Sequence, residues 1–115
     1  MRPQRPIGVF DSGIGGLTVV HALRRLLPSE ALVYLGDTAR VPYGTKSHDT
    51  IVRYTLQMGA LLQQHDPKLI VVACNTASAH GLAALQAVSP CPVLGVIAPG
   101  AEAASQSNGP VGVIG

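Results

Sequence analysis

A short apolar run at 69–73 ends at Cys74, and Asn75 and Thr76 follow it directly. Small residues that can open a helix come next. A thiol at such a junction faces free backbone N–H groups and the positive end of a helix dipole, and both favour the thiolate. The plain alternative is that Cys74 is a small buried hydrophobe, but its position just ahead of a helix start points to a reactive group. Asn75 and Thr76 suit helix capping, a role that is compatible with ligand binding. A second cluster, Asp11-Ser12-Gly13-Ile14-Gly15-Gly16, follows the apolar residues 7–10. A carboxylate at the end of a buried strand needs a reason, such as a ligand ammonium group or a nearby titrating side chain. A third cluster begins at Gly36-Asp37 and continues to Val41-Pro42-Tyr43-Gly44. The ordinary role of Tyr43 in such a turn is surface packing.

The glycines of the first cluster do not make a phosphate loop. Gly13 and Gly15 fit the first two positions of a dinucleotide fingerprint, but Thr18 occupies the third. No Walker lysine follows, and Asp11 would repel a phosphate. The glycines read instead as a tight turn that permits positive φ. The second cysteine, Cys91, lies between Pro90 and Pro92 at the start of an expected strand. At ~3.3 Å per residue, the start of a five-residue strand is ~15 Å from its carboxyl end. Cys91 therefore belongs to the opposite edge of a parallel sheet and reads as packing. His21, His48, His65 and His80 show no metal-ligand spacing in the sequence. His80 falls past the first turn of its helix, which makes it a poor partner for Cys74. Each histidine reads as exposed or structural.

The elements that must position these residues alternate in type. Apolar strands are expected at 7–10, 32–35, 69–73, 93–97 and 111–114. Helices are expected at 17–27, 47–65, 76–88 and, as a short segment, 99–107. In the first helix, Leu17, Val20, Leu23 and Leu27 share one side. In the second, Ser47 serves as cap, Asp49 suits the positive first turn, and Ile51, Met58 and Leu62 recur at helical spacing. Alternating strands and helices, with strands apolar almost throughout, imply a doubly wound parallel α/β sheet with helices on both faces. Ligands of such sheets bind at the carboxyl ends of the strands, where all three clusters fall.

Composition sets the remaining bounds. The chain has 115 residues, 47% hydrophobic and 12% charged, with a net charge of +2. It can bury a core and is not disordered by composition. One Phe, three Tyr and no Trp argue against the stacking platforms of single-strand nucleic-acid binding, and the mild charge argues against a DNA-binding stripe. No apolar run approaches the ~20 residues of a membrane span, and no secretory leader precedes Asp11. Two cysteines at unrelated spacing make neither a disulfide framework nor a zinc site. The expected setting is cytoplasmic, with reduced thiols.

Four motifs carry a resemblance: Gly-Val-Phe-Asp-Ser-Gly-Ile-Gly-Gly-Leu-Thr-Val at 8–19, Val-Pro-Tyr-Gly at 41–44, Ala-Cys-Asn-Thr-Ala-Ser at 73–78, and Pro-Val-Leu-Gly-Val-Ile at 92–97. Their order and spacing resemble the cofactor-independent aspartate/glutamate racemase superfamily and, within it, the glutamate racemases. The resemblance implies that Cys74 is one of two catalytic thiols, exchanging the α-proton on one face of glutamate. It implies that Asp11 assists the thiol and contacts substrate, and that Ser12, Tyr43, Gly44, Asn75 and Thr76 complete this half of the substrate site. It implies no cofactor, no pyridoxal phosphate and no metal, and a role in supplying D-glutamate for peptidoglycan. A thiol suits both proton removal and proton return, because it titrates within about two units of neutral pH.

The resemblance further implies that 1–98 forms most of a first lobe that lacks its carboxy-terminal completion. Residues 99–115 would be a connecting helix and the first strand of a second lobe. The family's second thiol follows a Gly-Cys-Thr-His-like motif that this sequence lacks. The expectation is therefore half of a two-base site, inactive alone unless a homodimer presents two Cys74 thiols to one substrate. The rival readings are an aspartate or hydantoin racemase on the same fold and a non-catalytic amino-acid-binding domain.

Overall fold

A computed structural model of the chain describes residues 4–13 and 15–96. Strand β1 (Ile7–Asp11) leads to helix α1 (Leu17–Leu26), then to β2 (Leu32–Gly36). Two short 3-10 turns, Thr38–Arg40 and Tyr43–Thr45, join β2 to α2 (His48–Gln63). Strand β3 (Leu69–Val72), helix α3 (Asn75–Val88) and strand β4 (Val93–Gly95) follow. The strands form one parallel sheet in the order β2-β1-β3-β4. The expected strand end at 97 and the expected elements at 99–107 and 111–114 lie outside the described residues.

Side chains alternate across each strand, so one sheet builds two cores. Phe10, Ile70, Val72 and Val93 pack with Ile51, Met58, Leu62 and Leu85 of α2 and α3 on one face. Ile7, Val9 and Val71 pack with Val19, Val20 and Leu23 of α1 on the other. Helices thus cover both faces, as the strand composition implies. The side of α1 expected to be buried is only partly so. Leu17 and Leu27 are each 43% exposed, because Val19, not Leu17, turns with Val20 and Leu23 toward the sheet. Leu94 is also exposed, on β4, the outermost of the described strands on that side.

Local chemistry sets the element ends. Ser47 Oγ accepts the Thr50 N–H at 3.2 Å, capping α2 as its residue type predicts. The helix stops at Gln63, short of the expected residue 65, and Asp66 takes a φ of 50°. Pro67 follows it, and a residue before proline is disfavoured in the helical region.

The connections reverse direction at the middle of the sheet. The chain moves from β1 to β2 by way of α1 on one face, then crosses back over β1 to β3 by way of α2 on the other. The carboxyl ends of β1 and β3 are therefore the topological switch point, where open α/β sheets leave a crevice between diverging loops.

Candidate active site

Backbone bonds hold the three loops together at that crevice. The Ala73 N–H donates to Phe10 O at 2.8 Å, and the Asp37 N–H donates to Asp11 O at 2.9 Å. The parallel ladders are thus carried one step beyond the strands, and Asp11, Asp37 and Cys74 emerge side by side. Tyr34 adds a side-chain tie, its hydroxyl donating to Gly13 O at 2.8 Å. The Tyr34 pKa is raised, first by burial and then by the nearby Asp11 charge.

Cys74 is the N-cap of α3. Its Sγ accepts the Ala77 N–H at 3.4 Å, and its S–H donates to Ser12 Oγ at 3.3 Å. The thiol is 6% exposed. A hydroxyl can accept from S–H and, after rotation, donate to S⁻, so Ser12 serves either protonation state of the thiol.

Asp11 is buried on the α1 face, and its Oδ2 accepts the Gly16 N–H at 2.6 Å, at the start of α1. This contact supplies a structural reason for the buried carboxylate beside the ligand reason expected from sequence. It also corrects the reading of the glycines. Gly13, Gly15 and Gly16 do not occupy the left-handed region, and Gly16 has a φ of −67°. Gly16 is needed for space, since a Cβ there would lie 2.7 Å from the Asp11 Cβ.

Tyr43 is not a surface residue. It is 1% exposed, its ring packs against Phe10 and Tyr54, and its hydroxyl donates to Asp37 Oδ2. Burial, followed by that hydrogen bond and the Asp37 charge, holds the phenol well above its ordinary pKa. Arg40 Nε donates to the same carboxylate at 2.7 Å, and its guanidinium lies 3.9 Å from the centre of the Tyr54 ring. The Asp37–Arg40–Tyr43–Tyr54 cluster thus anchors the segment that presents Gly44. Sequence reading noted Asp37 only as the end of an apolar strand and missed this role. The signal was the same as for Asp11, a carboxylate where the sheet ends.

Gly44 is exposed and faces Thr76, whose Oγ1 would lie 3.8 Å from a Cβ at Gly44. Asn75 is exposed and Thr76 partly so, at the first turn of α3. The structure brings Ser12, Gly44, Cys74, Asn75 and Thr76 to one rim, while the Asp11 carboxylate and the Tyr43 hydroxyl are engaged below it. Cys91 stays apart. The β3–β4 register places it level with Lys68, six residues and therefore ~20 Å before Cys74 along the strand direction. It is 9% exposed, against Gln63 and Ser89. Among the described residues no group of three or more His, Cys, Asp or Glu could hold a metal ion, and no helix is long and apolar enough to cross a membrane.

These features define an open parallel α/β domain whose topological switch point carries a thiol at a helix N-cap. The chain belongs to the Asp/Glu/hydantoin racemase family, whose profile matches residues 7–115. It is 56% identical over 115 residues to the glutamate racemase of Geobacter metallireducens, covering 98% of this chain and 43% of that protein. Its fold matches the glutamate racemase structure from Aquifex pyrophilus with a TM-score of 0.86 at 53% identity, over 90% of this chain and 41% of that one. The Francisella tularensis glutamate racemase in complex with D-glutamate matches with a TM-score of 0.86 at 46% identity, over 91% and 40%. The chain thus spans about two-fifths of the length of the relatives it matches.

Proposed function

We propose that this chain supplies one half of a glutamate racemase site, with Cys74 as the base and acid for one face of the substrate α-carbon. The observation that carries this reading is the contact of Cys74 Sγ with Ser12 Oγ, at a helix N-cap on the switch-point rim. Cys74 takes the α-proton, and the Ser12 hydroxyl follows the sulfur through both charge states. Exposed Asn75 and Gly44 and partly exposed Thr76 line the same rim and suit the polar ends of an amino acid. Donors there would stabilise charge growing on the substrate carboxylate as the α-proton leaves. Tyr43, with its hydroxyl committed to Asp37, contributes through its backbone. Asp11, fixed by the Gly16 N–H, sets the local charge beside the site.

Inversion needs proton delivery to the opposite face, and Cys91 is too far along the sheet to provide it. The second group therefore comes from length that the relatives have beyond this match, or from a second copy of the chain. On this reading the D-glutamate formed serves cytoplasmic peptidoglycan precursor synthesis, and no cofactor takes part.

The test is D-glutamate formation from pure L-glutamate, together with α-proton exchange in deuterium oxide, over a range of chain concentrations. The 115-residue chain alone is expected to form no D-glutamate. Fused to the remaining length of the Geobacter metallireducens relative, it is expected to interconvert the enantiomers, and Cys74→Ala to abolish inversion while leaving α-proton exchange only on the opposite face. A fusion that still inverts glutamate with Cys74→Ala would overturn the assignment. Activity of the chain alone that rises with the square of concentration would identify a dimeric site with two Cys74 thiols.

A further inference from the structure

We propose that His48 and His80 form a binding site for one divalent transition-metal ion with cis ligand geometry, such as nickel(II). The two imidazoles come from different helices. His48 is the first residue of α2 and His80 lies in the second turn of α3, and their Nδ1 atoms are 2.9 Å apart. No sequence spacing signals this pair, because 32 residues separate its members.

The spacing suits cis ligation. Two nitrogens 2.9 Å apart, each ~2.05 Å from a common ion, subtend about 90° at it. That is the cis angle of square-planar and octahedral sites, whereas tetrahedral ligands at the same bond length would stand ~3.3 Å apart. Without metal, the pair shares a proton between the Nδ1 atoms, with ring centroids 5.1 Å apart. Admitting an ion moves that proton to solvent or to the free Nε2 and turns each ring so that its Nδ1 lone pair faces the ion. Both side chains are exposed, and histidine χ2 has a broad well that permits the swing.

The helices that carry the pair are held rigidly. A Cβ at Gly81 would lie 2.4 Å from Thr55 Oγ1, and Thr55 is itself fully buried and bonded to Ile51 O at 2.8 Å. This close approach of α2 and α3 fixes the two histidine backbones, and rigid elements make the more exact sites. Among the described residues no third His, Cys, Asp or Glu joins them, so solvent or an anionic ligand fills the remaining positions. His80 follows Thr76 by one turn, ~6 Å along α3. The ion therefore sits beside the rim that carries Thr76 and Gly44, where its charge acts on any carboxylate held there.

The metal site stands independently of the racemase reading and is tested by metal binding alone. Nickel(II) chloride is titrated into the 115-residue chain by calorimetry, with native mass spectrometry for stoichiometry. One ion per chain is expected. His48→Ala or His80→Gln should weaken binding at least ~10-fold, since loss of a ligand costs no less than loss of a group that orients one. Both residues are exposed, so circular dichroism should show unchanged folds. His21→Ala and His65→Ala should leave affinity unaltered. Cobalt(II) should give the weak visible bands of a six-coordinate ion. Absence of binding, or binding that survives both His48→Ala and His80→Gln, would overturn the proposal.

Discussion

The sulfur of Cys74 and the hydroxyl oxygen of Ser12 lie 3.3 Å apart although 62 residues separate them in the chain. Neighbouring parallel strands β1 and β3 end together, and each delivers its next polar residue to the same point. The thiol is also capped by its own helix through the Ala77 N–H. Burial does not distinguish Cys74 from Cys91, at 6% and 9% exposed. Their surroundings do.

Cys74 is therefore expected to alkylate faster than Cys91. The Cys74 sulfur sits at a helix N-cap between the Ala77 N–H and the Ser12 hydroxyl on the rim, whereas Cys91 packs against Gln63 and Ser89. Timed iodoacetamide labelling with peptide mapping measures both rates in one sample, and faster labelling of Cys91 would contradict the placement. Cys74→Ser should abolish labelling at this position while keeping the cap, with stability changed by less than about 1 kcal/mol.

Tyr43 and Asp37 should prove energetically coupled. Tyr43→Phe leaves a buried carboxylate without one donor and is expected to cost about 1–3 kcal/mol. Asp37→Asn weakens the same bond and the ion pair to Arg40. The double variant should cost less than the two single variants together, by at least about 0.5 kcal/mol. Urea unfolding of the four proteins measures the difference, and strict additivity would show that the contact carries no energy.

Alkaline stability follows from the same tyrosine. The folded pKa of Tyr43 is raised, by burial first and the Asp37 hydrogen bond second. The folded state therefore holds its proton where the unfolded chain releases it, near pH ~10. This contribution is fully present below the unfolded value and is lost as pH rises toward the folded one. Tyr34, raised by burial and by Asp11, acts in the same direction. Stability should fall above pH ~10, and Tyr43→Phe should flatten that limb. An unchanged alkaline limb in Tyr43→Phe would contradict the cause.

Gly81→Ala should destabilise the chain. The added methyl would meet three atoms of buried Thr55 within 2.4–2.8 Å, and a β-branched side chain in a helix has little freedom to yield. The expected cost is about 1–3 kcal/mol, read from urea unfolding. The loss should be greater than in Ala83→Gly, a change on the exposed side of α3. A smaller loss at Gly81 would mean that α2 and α3 separate easily.

Much of this architecture was legible in the order of residues. Alternating apolar runs and helical periods specified a parallel sheet with helices on both faces. The polar residues that end those runs (Asp11 closing β1 with Ser12 after it, Asp37 after β2, Cys74 after β3) fall at one edge of the sheet, as strand direction implies. Strand direction alone removed Cys91 from it. These inferences hold because backbone periodicity and strand rise are local properties that need no partner. The tertiary structure decided what depends on packing between distant segments. It turned Val19 rather than Leu17 toward the sheet, and it buried Tyr43 against Phe10 and Tyr54. It assigned the Tyr43 hydroxyl to Asp37 and gave Asp11 to the Gly16 N–H. It made Gly16 a matter of clearance rather than of positive φ, and it set His48 against His80. Each of these is a contact between chemically ordinary residues, and only the distance at which two elements pack determines whether such residues meet.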